Sequence, residues 1–184
     1  MTVGTTTYAA LLRGINVGGS RKVPMAELRT IMEGLGYGNV RTHLQSGNAV
    51  FTARGDEDAL AAELAGAVER HFGFAVDVLV RDHAYLGSVL DDCPFPAAEL
   101  EARQLHATYF SAPVDAERFV SVDQPAFLPE EFRLGDRVLY LYAPDGLGRS
   151  KLAEALAKPR VTKGVVATTR NWNTVTKLVE LTRD

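Results

Sequence analysis

The sequence predicts an α/β (α+β) protein made of two tandem β-α-β-β-α-β units followed by a closing C-terminal helix. Three observations carry this. Apolar residues alternate or cluster in short runs where strands are placed, and recur three or four apart where helices are placed. A break with two prolines, Asp91-Asp92-Cys93-Pro94-Phe95-Pro96, interrupts the pattern near mid-chain. The order of elements beyond the break then repeats the order before it.

In the first half, Tyr8 to Arg13 is a short apolar run ending at glycine, the composition of a buried strand. Met25, Leu28, Ile31, Met32 and Leu35 fall at helical spacing, with Pro24 in the first turn and Gly36 as the stop. Val40, Thr42 and Leu44 alternate, as do Val50 and Thr52 beyond Ser46-Gly47-Asn48, which predicts a β-hairpin. Leu60, Leu64, Val68 and Phe72 mark a second helix, with Asp56 as its cap and Gly73 as its stop. Val76, Val78 and Val80 complete the unit, and a short helix from His83 to Leu90 follows.

The second half reads the same way. Leu105–Ser111 is a strand and Val114–Val122 a short helix. Phe132–Leu134 and Val138–Tyr142 are strands joined at Gly135-Asp136. Leu152–Leu156 is helical, Val165–Thr168 a strand, and Trp172, Val175 and Val179 line the closing helix. Each half matches a ferredoxin-like unit with helices over one sheet face. The boundary falls at the proline break, giving halves 1–92 and 93–184.

Composition sets the broad class. With 46% hydrophobic and 23% charged residues the chain has enough apolar side chain for a core, and disorder is excluded. The single cysteine, Cys93, excludes an internal disulfide framework and suits a reducing compartment. No apolar run reaches the length of about 18 residues that spans a bilayer. The first seven residues have neither the basic nor the apolar part of a signal peptide. A cytoplasmic protein without a membrane partner is the expectation.

Charge is unevenly placed. The net −3 divides into +4 over residues 1–54, −9 over 55–101 and +2 over 102–184. From Arg149 to Lys177 there are seven basic residues and one acid, Glu154. Two basic stretches on an acidic protein point to a localised site, whereas a nucleic-acid coat would be basic throughout.

Four segments can carry that site. Arg13-Gly14-Ile15-Asn16-Val17-Gly18-Gly19-Ser20-Arg21-Lys22 joins a strand to a helix, and such a loop can turn backbone N–H groups toward an anion. It lacks the Lys-Ser/Thr ending of a Walker A loop and contains no GxGxxG. Gln45-Ser46-Gly47-Asn48 has the composition of a tight turn. Gly148-Arg149-Ser150-Lys151 enters a helix, where Ser150 can cap or donate to an oxyanion. Arg170-Asn171-Trp172 is another strand-to-helix corner, with Asn171 a candidate cap and Trp172 a candidate core residue. Three of the four are polar, basic corners, and a doubled unit can bring such corners onto one cleft. Catalytic signatures are absent. His43, His71, His83 and His106 lack metal-ligand spacing, and Cys93 has no basic neighbour to lower its pKa.

Together, Leu11 to Gly19, Val23-Pro24-Met25-Ala26-Glu27-Leu28, Gln45 to Asn48, Gly148 to Leu152 and Thr168 to Thr174 resemble a widespread bacterial family, domain of unknown function 1697. The resemblance runs from Tyr8 to Leu181 and implies a fold of two ferredoxin-like halves, with no assigned reaction. Lys158-Pro159-Arg160 departs from its pattern, since Pro159 should stop a helix early.

The expected activity is binding of a small anionic ligand, a nucleotide or other phosphate-bearing molecule, in a cleft between the halves. Arg13, Asn16, Lys22, Arg149, Lys151 and Arg170 would supply charge and side-chain donors, and Gly18, Gly19 and Gly148 backbone N–H groups. Gln45, Ser46, Asn48, Ser150, Asn171 and Trp172 complete the set. The sequence implies no metal or cofactor. The alternative is an RNA or single-stranded nucleic-acid module stacking bases on Tyr109, Tyr140 and Tyr142.

Overall fold

A computed structural model describes residues 4–183. Met1–Val3, within the segment read above for a signal peptide, and Asp184 lie outside the described residues. The chain divides into two compact units, residues up to 86 with those from 178 onward, and residues 87–177. The expected 92/93 boundary therefore shifts into a helix. The last turn of the closing helix groups with the first unit. No helix among the described residues is long and apolar enough to cross a membrane.

In the first unit the order is β1 (Thr6–Leu12), α1 (Met25–Gly34), β2 (Gly38–His43), β3 (Asn48–Ala53), α2 (Glu57–Phe72) and β4 (Val78–Asp82), leading into α3 (His83–Asp91). The strands form one antiparallel sheet in the order β2-β3-β1-β4. Its core face joins Ala10, Leu12, Phe51 and Val80 to Leu28 and Met32 of α1 and to Leu64 and Val68 of α2. Ala9 and Leu11 on the opposite face are also buried, which is why β1 reads as an unbroken apolar run. The α2 ends are as expected. An Asp56 carboxylate oxygen accepts from Ala59 N–H at 2.8 Å, worth about 1 kcal/mol. Gly73 closes the helix in the left-handed conformation.

A buried ion pair fixes how β4 meets α2. The Arg81 side chain is 2% exposed and lies 3.5 Å from Glu57. The second Glu57 oxygen accepts from the backbone N–H of Asp82 at 2.9 Å. Removing Glu57 takes the carboxylate from the buried Arg81 guanidinium and costs about 3 kcal/mol, the low end for a buried pair because Glu57 is itself partly exposed.

The second unit contains β5 (Leu105–Phe110), β6 (Glu131–Gly135), β7 (Val138–Tyr142), α4 (Lys151–Leu156), α5 (Pro159–Thr162), β8 (Ala167–Asn171) and the start of α6 (Trp172–Thr182). Its sheet repeats the pattern, in the order β6-β7-β5-β8 and antiparallel throughout. The helix expected over Val114–Val122 is instead a 3₁₀ turn at Ala116–Phe119, followed by another at Gln124–Phe127. Phe119 and Val122 are buried while Val120 is 80% exposed, and a three-residue spacing eclipses side chains in 3₁₀ geometry. The β6–β7 turn occupies Asp136-Arg137, one residue later than expected. Gly135 pairs with Val138 as the last residue of β6. Pro159 does end the preceding helix: α4 stops at Leu156 and the proline opens α5. The final strand begins at Ala167, beyond the Val165 expected.

His106, on β5, is 5% exposed, and its Nδ1 has no hydrogen-bond partner among the described residues. Burial pushes its pKa below the ordinary 6.5 because the charged form loses hydration. The unfolded chain therefore takes up this proton first as pH falls. The stability contribution is complete above about pH 6.5 and is lost as pH drops through the depressed folded value. Urea unfolding at stepped pH should show this decline in the wild type and a shallower one in His106→Leu; equal slopes would assign the loss to another group.

Candidate functional site

The β1–α1 connection is a small hairpin. Val17 and Ser20 form a β-bridge, and Ser20 N–H donates to the Val17 carbonyl at 3.2 Å. Gly18 and Gly19 between them have φ of 61° and 76°. Left-handed backbone at both central positions defines a type I′ turn, which Gly-Gly adopts without steric cost. Asn16 N–H donates to the Arg21 carbonyl at 3.1 Å, closing the next rung. The glycines here turn the chain sharply, so the segment is an ordered loop. Gly19 reaches the cavity described below, and Gly18 does not line it.

Asn16 ties this hairpin to its surroundings. Its amide nitrogen donates to the carbonyls of Val23 at 2.9 Å and Gln45 at 2.7 Å. Its amide oxygen accepts from Val23 N–H at 2.8 Å. Both donor hydrogens are therefore engaged, and Asn16 is a structural clamp where a ligand donor was expected. The β2–β3 turn is locked independently. Asn48, fully buried, donates to the His43 carbonyl at 2.9 Å and to Ser46 Oγ at 3.2 Å. Ser46 and Asn48 thus shape the turn, while the exposed Gln45 side chain stays at the cavity.

The clamp brings Asn16, Gly19, Lys22 and Gln45 together around a cavity of about 490 Å³, with Met25 and Ala26 of α1 in its wall. Pro24 is the N-cap of α1 and no side chain caps the helix. The backbone N–H groups of its first turn therefore lack an intrahelical partner and carry the positive end of the helix dipole. Sequence patterning sets Pro24 inside the helix and so does not point to Met25 and Ala26 as site residues. The readable signal was the lack of Ser, Thr, Asp or Asn before Met25. Of the basic residues in this loop, Arg13 pairs with Asp77 at 3.6 Å. Arg21 donates to the Ala75 carbonyl and lies over the Phe74 ring, 5.6 Å from its centroid. Lys22 is exposed, makes no ion pair among the described residues, and lines the cavity. Glu27, in the first turn of α1, is engaged by His71 at 3.3 Å.

The expected residues of the second unit are placed differently. Ser150 caps α4 by accepting from Ala153 N–H at 2.9 Å, and its hydroxyl donates to Glu130. The other Glu130 oxygen accepts from Lys151 N–H at 3.3 Å. An internal carboxylate thus holds the position expected for an anion. Lys151 pairs with Glu154 at 3.4 Å, and Gly148 and Arg149 are exposed on a 3₁₀ turn, Leu147–Arg149. Arg170 is 8% exposed and donates to Thr168 Oγ1 at 2.8 Å and the Thr169 carbonyl at 3.0 Å. Burial lowers its pKa to about 10, so it remains charged at neutral pH. Asn171 caps α6 by accepting from Thr174 N–H at 3.0 Å. Trp172 is buried, its ring centroid 6.4 Å from that of Tyr140. Tyr109 and Tyr140 are also buried, Tyr140 donating to the Val89 carbonyl at 2.7 Å. Neither presents an open ring face for stacking, and Tyr142 is half-buried near Phe95.

The family described as "Protein of unknown function (DUF1697)" matches residues 5–140, about three quarters of the chain. The chain belongs to the DUF1697 family. The matched span contains the hairpin, the clamp and the cavity; the motifs at Arg149 and Arg170 lie beyond it. Among solved structures, a conserved bacterial protein from Streptococcus pneumoniae superposes with a TM-score of 0.78 at 23% identity. The match covers 98% of this chain and 100% of that one, so the two share a fold. No curated protein matches this DUF1697 chain.

Asn16→Ala removes three hydrogen bonds and leaves the N–H of the fully buried Val23 unsatisfied. It should cost roughly 2–3 kcal/mol in urea denaturation. Asn16→Asp should cost at least as much, because an acceptor would then face two carbonyls.

Proposed function

We propose that this protein binds a small anionic, phosphate-bearing ligand at the β1–α1 corner of its first unit. The observation that carries this reading is the convergence of the unpaired Lys22 ammonium and the uncapped α1 N-terminus on one cavity. A helix start favours an anion by about 0.3–1 kcal/mol when exposed, and up to about 2 when partly buried. Hydrogen bonds to a charged partner add roughly 1.5–3 kcal/mol each. The cavity volume of about 490 Å³ falls in the range of small-molecule sites. Val23, Met25 and Ala26 give it an apolar wall for the uncharged part of the ligand.

The lining favours binding over turnover. No histidine, cysteine or carboxylate lines this cavity among the described residues, so it presents no general base or thiol nucleophile. Phosphate suits the site better than a bulkier nucleic acid. Lys22 is a single point charge beside backbone donors, with no aromatic platform next to it. A cytoplasmic setting is part of the same proposal. Cys93 is a half-buried free thiol whose pKa is raised chiefly by burial, a form suited to a reducing environment.

The test is a thermal-shift titration with inorganic phosphate and a nucleoside monophosphate at constant ionic strength. Ligand at a hundredfold excess over Kd should stabilise the wild type by about 2.7 kcal/mol. Lys22→Gln should lose the part of that shift that this corner contributes, and Arg13→Ala should keep the whole shift. A wild type unmoved by both ligands overturns the reading.

A further inference from the structure

A second cavity, about 580 Å³, lies in the first unit on a different surface from the Lys22 site. It is lined by Thr7 of β1, Asn39 and Arg41 of β2, Val50 and Thr52 of β3, and Arg183 beyond α6. Register sets the face. Arg41 pairs with Val50 and Thr7 with Thr52, so these four residues project from the side of the sheet opposite α1 and α2. None of them enters the family motifs or the β1–α1 hairpin.

We infer that this groove is a distinct binding site for a phosphorylated small molecule. Two guanidinium groups line it, and no carboxylate among the described residues does. Arg41 is held in place by donating to the Leu181 carbonyl at 2.7 Å, which uses one edge of a group with five donors. Arg183 makes no ion pair among the described residues, and no described acid lines the groove beside either guanidinium. A phosphate monoester carries about −1.5 to −2 and three acceptor oxygens, matching two guanidinium forks with hydroxyls beside them. A carboxylate offers half the charge and fewer acceptors.

The backbone of β2 is shaped to open this groove. Its pairing with β3 shifts register between Gly38 and Arg41, and Asn39 sits there at φ 49°. A bulge in an edge strand re-aims the side chains around it. At Gly38 the φ is ordinary, so conformation does not demand glycine. A Cβ there would instead fall 2.6 Å from Thr52 Oγ1. The absent side chain leaves the Thr52 hydroxyl its place in the groove.

The decisive experiment follows amide chemical shifts in the isotope-labelled full-length chain during titration with inorganic phosphate, at constant ionic strength and with acetate as control. The amides of Thr7, Asn39 and Thr52 should shift saturably with phosphate and much less with acetate. Arg183→Gln should weaken that curve about tenfold, equivalent to about 1.4 kcal/mol, while the Ala26 amide keeps its own curve. Lys22→Gln should do the reverse, so failure of either site is distinguishable from failure of the other. Arg41→Gln should also abolish the response, but it removes the bond to Leu181 as well, so Arg183→Gln decides. Unmoved Thr7 and Thr52 amides, an unchanged curve in Arg183→Gln, or equal response to acetate each overturn the inference.

Discussion

The three hydrogen bonds of the Asn16 amide hold the first unit's candidate site together. They join the β1–α1 hairpin to the start of α1 through Val23 and to the β2–β3 turn through Gln45. Two adjoining segments and a turn 29 positions away are thereby set around one cavity. The cost is that the residue best suited to contact a ligand is itself consumed in structure. Asn16 holds a left-handed φ of 56°, tolerated better by asparagine than by most residues, because its side chain is bonded in place. Strain maintained by surrounding contacts in this way is common where a loop must present a fixed surface.

The two units treat the same feature in opposite ways. In the first, α1 begins at a proline with no side-chain cap, and Met25 and Ala26 of its first turn line the cavity. In the second, α4 begins at Ser150, and Glu130 supplies the carboxylate that an open helix start attracts. Helix dipole and orphan donors favour an anion in both places. What differs is whether the chain has an acid within reach. Residue 130 lies twenty positions before Ser150, outside any local pattern around Gly148–Lys151.

Arginines illustrate the same limit. The basic count from Arg149 to Lys177 suggests a cationic surface, yet Arg170 is buried among the threonines of its own strand. Arg81, in an acidic stretch, is likewise buried and paired with Glu57. Arg41 and Arg183 attract no notice in the sequence because 142 positions separate them, and the sheet and α6 bring them to one groove. Guanidinium groups serve equally as buried hydrogen-bond hubs and as exposed anion receptors. Burial, which is a tertiary property, decides between these uses.

Much of the fold was legible directly. Period-two and period-3.6 patterning located the strands and the longer helices, and Asp56 and Gly73 marked the ends of α2 because caps act within one turn. The four residues Asn16, Gly19, Lys22 and Gln45 were legible as a polar group at strand-to-helix and strand-to-strand corners. The sequence misled where one local signal fitted two outcomes, as at Val114–Val122 and at Gly135. By itself it determined the α/β class, the doubled order of elements and three corners where an anion would be sought. Only the tertiary structure decided which polar groups remain available there, because each hydrogen bond within the protein removes a donor or charge from any ligand. Asn16, Ser150 and Arg170 are bonded inside the protein; Lys22 is left facing the cavity.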